Sequence, residues 1–390
     1  MLCYAHAGKD LEKFKLGIRE NPVAKPGDFL LAEKDGMPVG TSTSLSMTLW
    51  ARGGSVLCQG VAWVGTIKTH RRRTEKGDGI ATQIMRETLR MGRERGQVVS
   101  ALMPFRGTFY EHFGYGFVER RNEWTLPLSV LPHGAFEGVR FYHPDDLQEL
   151  ARFRQRVVER GQCDIERPLA VCEFQVTERM EEGFVVVDRP RKDGPIHGFL
   201  CFEHSVVAGK DHLRVMQINY EDIAALQRQL HFLASLRDQY HSVVVVLPID
   251  LPLNWLLRES QLPHRRVNHD HAQLRQDTRM QVRVLDHKRF IEAMHLPTGH
   301  QGRVTVGVQE SEGSESRFQV DLSEGRAAVS PYASSPGFVC RDRVWAAIVC
   351  GDLPATRAVQ LGLATAEDFR TAQTLDVFSM GPAPFCHEYF

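Results

Sequence analysis

Residues 61–96, VAWVGTIKTHRRRTEKGDGIATQIMRETLRMGRERG, constrain the fold more than any other stretch of the chain. The first seven are mostly apolar with valines and isoleucine, and predict a largely buried strand. A basic run, His-Arg-Arg-Arg at 70–73, follows, then a polar glycine turn at 76–81. The turn opens an amphipathic helix. Ile80, Ile84, Met85, Thr88, Leu89 and Met91 cover one side of it, Gln83, Arg86, Glu87, Arg90, Arg93 and Glu94 the other, and Gly96 stands where a C-cap belongs. Strand, basic glycine loop and helix is an arrangement that holds a diphosphate, because loop amides, the positive end of the helix dipole and arginines converge on one anion. An ordinary basic turn between two elements has the same bare pattern.

At 390 residues the chain is too long for one ordinary core, and two or three domains are expected. Its 42% apolar and 25% charged content is that of a globular protein. Basic and acidic residues balance at 48 each, so bulk charge gives no reason to expect nucleic acid or an anionic membrane as partner. The local concentration of arginine near the glycine turn suits a small polyanion. No apolar run approaches bilayer-crossing length, and no signal peptide precedes the first charged segment. None of the eight cysteines is spaced C-x-x-C, which predicts buried free thiols, a cytoplasmic location and no metal. His264, His269 and His271 cluster in an arginine-rich loop without thiolate or carboxylate partners at ligand spacing, and read as solvated.

In chain order, a short helix is predicted at 9–20 and a hairpin at 29–43 around Asp35-Gly36. A second hairpin, turning at 52–55, leads into the strand at 61–67, and a further strand follows the helix at 98–103. The stretch FRGTFYEHFGYGF, 105–117, is dense in aromatics and broken by glycines, and predicts a short helix and turn against a pocket wall. A proline- and glycine-punctuated link at 122–141 precedes a second run: a helix at 144–160, strands at 184–188, 196–204 and 212–220, a helix at 221–239 and a strand at 241–247. From Arg279 come strand and helix, three polar-edged strands between 303 and 331, and helices near 341–349, 353–361 and from 365.

These features resemble the GNAT N-acetyltransferases, whose coenzyme signature is Arg/Gln-x-x-Gly-x-Gly/Ala at the start of a helix. Two alignments are open. Either Lys76-x-x-Gly79-x-Ala81 is the signature and Lys76 and Gly77 hold the pyrophosphate, or 74–78 is an insertion and Arg72, Arg73, Gly79, Ile80, Ala81 and Thr82 hold it. The motif Tyr110-x-x-Phe-Gly-Tyr-Gly resembles the "enhanced intracellular survival" (Eis) branch more narrowly. That resemblance implies an α/β (α+β) chain of three parts: a catalytic GNAT domain (1–130), a non-catalytic GNAT-like domain (131–280) and a sterol-carrier-like α+β domain (281–390). It implies acetyl-CoA as cosubstrate, bound by Val64, Gly65 and Thr66 of the opening strand and by Phe105 and Arg106. It implies an amine acceptor, aminoglycoside-, polyamine- or lysine-like, and a homo-hexamer.

The terminal PAPFCHEYF is apolar, proline-stiffened and aromatic, unlike a frayed tail, and docking on the core would explain it. In the Eis branch the terminal carboxylate enters the active site as base, which puts that role on Phe390, with Tyr110 as the general acid. Asp28, Trp50, Trp63 and Glu388 are candidate walls of the acceptor pocket. A non-catalytic acyl-CoA- or lipid-binding protein is the alternative, although binding alone needs neither Tyr110 nor an apolar tail.

Overall fold

A computed structural model of the chain describes residues 15, 18–71, 79–207, 209–261 and 271–390. These fall into two compact units that alternate along the sequence. Met1–Glu119, Gln162–Ile165 and Arg279–Phe390 form the first, and Arg120–Gly161 and Glu166–Thr278 the second. Most of the helix predicted at 9–20, and His264 and His269, lie outside the described residues.

The first unit opens with three antiparallel strands, β1 (Phe29–Lys34), β2 (Met37–Ala51) and β3 (Gly54–Thr66). Both connections are two-residue turns in the left-handed region, Asp35-Gly36 (φ 53° and 73°) and Arg52-Gly53 (φ 51° and 71°). That geometry matches the twist of the flanking strands, and glycine enters it at no steric cost. Helix α1 (Ile80–Glu94) then crosses to β4 (Val99–Leu102), which pairs parallel with β3. A short helix, α2 (Gly107–Glu111), follows. The sheet is completed from far along the chain: strand Gln281–Val284 lies between β4 and Gly116–Phe117, and Gln162–Ile165 pairs with β2.

A second, five-stranded sheet in this unit runs in the order Arg326–Pro331, Glu315–Ser323, Gly302–Gln309, Phe338–Arg341, Ala364–Ala366. Helix Asp342–Cys350 is buried along almost its whole length beside it, with Trp345 packed edge-on to Phe318 and Phe378. One hydrophobic cluster, from Leu49 and Cys58 through Val282 to Val306 and Trp345, serves both sheets.

The second unit is a seven-stranded sheet in the order Gln273–Thr278, Arg120–Pro127, Ser242–Pro248, Lys210–Tyr220, Gly198–Val207, Phe184–Asp188, Val139–Phe141. A parallel pair, Lys210–Tyr220 with Ser242–Pro248, is joined through helix Ile223–Ser235. The link predicted at 122–141 is partly strand: Arg120–Pro127 alternates too weakly to be read as one, yet it pairs on both sides. Helix Leu169–Glu182, also unforeseen, buries Val171, Cys172 and Val176 with only a weak apolar stripe.

Inside the first unit, apolar surface does not by itself set how α1 lies on the sheet. Gln59 of β3 is fully buried, and its Nε2 donates to Ser44 Oγ (2.7 Å) and to the Thr88 carbonyl of α1 (2.6 Å). Its Oε1 accepts from Ser100 Oγ on β4 (2.8 Å), and Ser100 in turn meets the Tyr115 hydroxyl at 2.6 Å. Thr88 Oγ1 lies 2.6 Å from Ser42 Oγ. Such a network is stabilising only while every member is satisfied. Gln59→Leu, which strands Ser44 and the Thr88 carbonyl, is expected to lower the stability of the first unit by about 2–3 kcal/mol, read from the urea-unfolding midpoint of the full chain.

Candidate active site

The parallel register of β3 and β4 runs from Cys58 with Val99 to Gly60 with Ala101 and then stops, while β3 continues to Thr66. On its other side β3 still pairs with β2, but through a register shift between Thr41 and Thr43. Trp63, the extra residue, takes a left-handed backbone (φ 48°), a conformation that costs an L-residue about 1–2 kcal/mol. Its indole is stacked on Phe29 at 5.6 Å. The bulge redirects the strand end, and Val64, Gly65 and Thr66 line a cleft of about 840 Å³.

Helix α1 starts on the same cleft. Its N-cap Gly79 is extended (φ −62°, ψ 157°), and no side chain caps the helix. The N–H groups of Ile80 and Ala81 donate no hydrogen bond to any described residue, and a Cβ built on Gly79 would meet nothing within 4 Å. Orphan amides at the positive end of a fifteen-residue helix, with open space above them, suit an anion. His70, Arg71, Arg86, Arg93, Arg106 and Arg283 line the cleft; Arg71 also donates to the Thr66 carbonyl (3.3 Å), and Arg93 and Arg283 pair with Glu312. The donor set therefore fits a coenzyme pyrophosphate. Arg72, Arg73, Lys76 and Gly77, and the question of an insertion at 74–78, lie outside the described residues.

Phe105, Arg106, Phe109, His112 and Phe113 form the facing wall. Phe105 is 78% exposed at the rim. Tyr110 sits behind this wall, 4% exposed, in a cluster with Val61, Met85, Leu89, Leu102, Phe113 and Tyr115 against which Val64 also packs. Its ring meets Phe105, Phe109 and Tyr115 edge-on at 6.1, 5.0 and 6.1 Å. The Tyr110 hydroxyl has no hydrogen-bond partner among the described residues, and it is not one of the sealed polar atoms of the interior. Burial pushes its pKa up to about 12. Tyr115 is wholly buried, and its pKa is pushed up in the same direction, chiefly by burial.

The tail packs on the same unit. Phe385 and Cys386 are buried, and Phe390 is half-buried against the large cluster that also takes Met47 and Met103. The cleft thus gathers Val64, Gly65, Thr66, Gly79, Ile80, Ala81, Thr82, Phe105 and Arg106, with Tyr110 directly behind it, while Phe390 belongs to the neighbouring cluster. Of the suggested acceptor walls, Asp28 accepts from the Lys25 amide (2.8 Å) and pairs with Arg95 (2.8 Å), a structural engagement. Trp50 is half-buried and Glu388 buried. The bulge at Trp63 and the buried Gln59 were missed by sequence reading; a lone glutamine in an apolar strand was the available signal for the second.

The chain is similar in sequence and in fold to known acetyltransferases. Residues 1–118 match one acetyltransferase (GNAT) domain family and residues 165–284 another. An uncharacterised N-acetyltransferase of Streptomyces griseus is 25% identical over 385 residues, covering 91% of this chain and 87% of that protein. One from Streptomyces avermitilis is 25% identical over 406 residues, covering 96% and 92%. Among solved structures, a GCN5-related N-acetyltransferase from Anabaena variabilis superposes with a TM-score of 0.84 at 19% identity, over 100% of this chain and 95% of that one. Eis1 from Mycobacterium abscessus gives 0.76 at 20% identity, over 94% and 91%. These structural likenesses speak to the fold.

The raised pKa of Tyr110 has a measurable consequence for stability. The unfolded chain loses this proton near ~10 and the folded chain near about 12, so the contribution is complete below pH 10 and is lost as pH rises through that window. Between pH 9 and pH 12, wild type is expected to lose on the order of 2 kcal/mol more stability than Tyr110→Phe, read from urea titrations at each pH.

Proposed function

Since this chain carries two acetyltransferase (GNAT) domains and is an enzyme of the acyltransferase class, we propose that it moves acetyl from acetyl-CoA to an amine by direct transfer, with Tyr110 as acid and the Phe390 carboxylate as base. The observation that carries this reading is the uncapped start of α1 opening on the cleft that Tyr110 backs. A coenzyme thioester would supply an acyl carbon open to attack. The amides of Ile80 and Ala81, with Arg71 and Arg86, hold its pyrophosphate, and backbone N–H groups of the strand end at Val64–Thr66 polarise its carbonyl oxygen. The phenol of Tyr110 keeps its proton at every working pH and offers it to sulfur as the C–S bond breaks. The Phe390 carboxylate, ionised at neutral pH with an ordinary pKa near ~3.5, takes the proton that the amine sheds as the N–C bond forms. A carboxylate that weak acts through position, directly or through one water.

The same reading assigns the chain to the Eis branch. Its supports are the Tyr110-x-x-Phe-Gly-Tyr-Gly motif, the docked tail and the whole-chain likeness in fold to Eis1. Residues 281–390 are then the sterol-carrier-like part, 131–280 the non-catalytic part, and the assembly a cytoplasmic hexamer acting on aminoglycoside-, polyamine- or lysine-like amines. One contrast supports a silent middle domain. Its crossover helix Ile223–Ser235 is capped by Asp222, whose carboxylate accepts from the Ala225 amide at 2.8 Å and fills the place an anion would need. No described helix is long and apolar enough to cross a membrane.

Tyr110→Phe is expected to lower kcat at least ~100-fold while acetyl-CoA affinity by calorimetry stays within a factor of two. Deleting Phe390, or adding one residue after it, is expected to do likewise. Wild-type rates in all three toward a panel of amines would sink the mechanism. Gly79→Asp, which adds a carboxylate beside the open amides without a clash, is expected to weaken acetyl-CoA binding about ten-fold or more and leave the fold intact.

A further inference from the structure

The tail does not rest on apolar contact alone. Phe385 N–H donates to the Gln162 carbonyl (2.9 Å), so the tail runs along the free edge of strand Gln162–Ile165, whose other edge pairs with β2. Two carboxylates, each wholly removed from solvent, then take hold of successive residues. Glu119 accepts from the amide of Cys386 through Oε1 (2.9 Å) and from the amide of Met280 through Oε2 (3.2 Å). Asp164 Oδ1 accepts from the amides of Ile165 and His387 (2.9 Å each), and Asp164 Oδ2 lies 2.9 Å from His387 Nδ1. The His387 ring is also braced edge-on by Phe385 at 4.8 Å. Beyond the clamp, Tyr389 is 71% exposed and lies under the Arg279 guanidinium at 5.1 Å.

Burying a carboxylate is unfavourable unless several donors satisfy it, and a tail could be docked more cheaply by its phenylalanines alone. What two buried acids add is register. They fix the backbone at residues 386 and 387, just before Phe390, so that sliding by one residue would cost each carboxylate the donors that the tail supplies. The bond to His387 Nδ1 further fixes that ring's orientation. On the reading that Phe390 supplies the base, we infer that Asp164 and Glu119 are positioning residues. They clamp the tail in one register and set the terminal carboxylate in place for proton transfer, with His387 as the side-chain handle of the clamp.

The test uses the full chain. His387→Ala removes the handle from a side chain that is 17% exposed; His387→Asn returns an N–H donor near the position of Nδ1. His387→Ala is expected to lower kcat roughly ten-fold with KM for acetyl-CoA unchanged, and His387→Asn to recover most of it. In a chain lacking Phe390 the alanine change should cost nothing further, because both lesions remove one function. Trimming of the terminal residues by a carboxypeptidase, followed by mass spectrometry, should be several-fold faster in His387→Ala and in Asp164→Asn than in wild type or His387→Asn. Unchanged trimming overturns the clamp. Additive losses of kcat in the double variant, or failure of asparagine to rescue, overturn its role in positioning. Full activity without Phe390 would instead sink the base assignment, a result the trimming assay distinguishes from failure of the clamp.

Discussion

The hydrogen-bond set centred on Gln59 is the interaction on which the site depends. Gln59 and Ser100 are register partners one step before β3 and β4 part. The same side chain grips the Thr88 carbonyl of α1, and Ser100 grips Tyr115 at the end of the aromatic segment. The two strands, the helix that begins at the open amides and the loop that carries Tyr110 are thus indexed to one another by directional bonds. Apolar packing among Val61, Met85, Leu89 and Leu102 supplies cohesion there, but dispersion tolerates small slips that a buried glutamine does not. A cleft formed by the parting of two strands needs that indexing, because its width is the distance between the parts.

Charge is treated differently at the two crossover helices. In the first unit the helix start is left to backbone amides and a glycine, with arginines nearby. In the second, an aspartate occupies the corresponding position and neutralises the helix end internally. Both solve the problem of orphan N–H groups. The first leaves that problem open for a ligand to solve, at a cost in intrinsic stability of roughly 1 kcal/mol for the missing cap.

Much of this was legible from residue pattern. The strand and the helix within 61–96 appear as read, the strand ending at Thr66 and the helix running Ile80–Glu94, because β-branching, a 3.6-residue apolar stripe and a terminal glycine agree there. The Asp-Gly hairpin and the short helix among the aromatics appear for the same reason. What was not legible is long-range. Gln162–Ile165 offers four residues with no alternation, all buried, and only its place beside β2 and the tail makes it a strand. Glu119 and Asp164 look in sequence like surface acids. Their burial is set by amides of Met280, Cys386 and His387, more than 150 positions away along the chain. The Trp63 bulge is invisible to propensity, since a bulky aromatic is the last residue expected at positive φ.

The interleaving of the first unit has a consequence for how the protein is made. Strand Gln281–Val284 is the inner neighbour of β4, and it leaves the ribosome well over a hundred residues after β4 does. Until then Val99–Leu102 presents an apolar, unpaired edge, which is a template for association with other chains. Closing a loop of that span carries only a modest extra entropy, since the cost grows with the logarithm of length, but it delays the pairing. Nascent chains therefore pass through a state in which β1 to β4 are present and open along one edge, and the second unit, continuous but for four residues, is placed to fold while that edge waits.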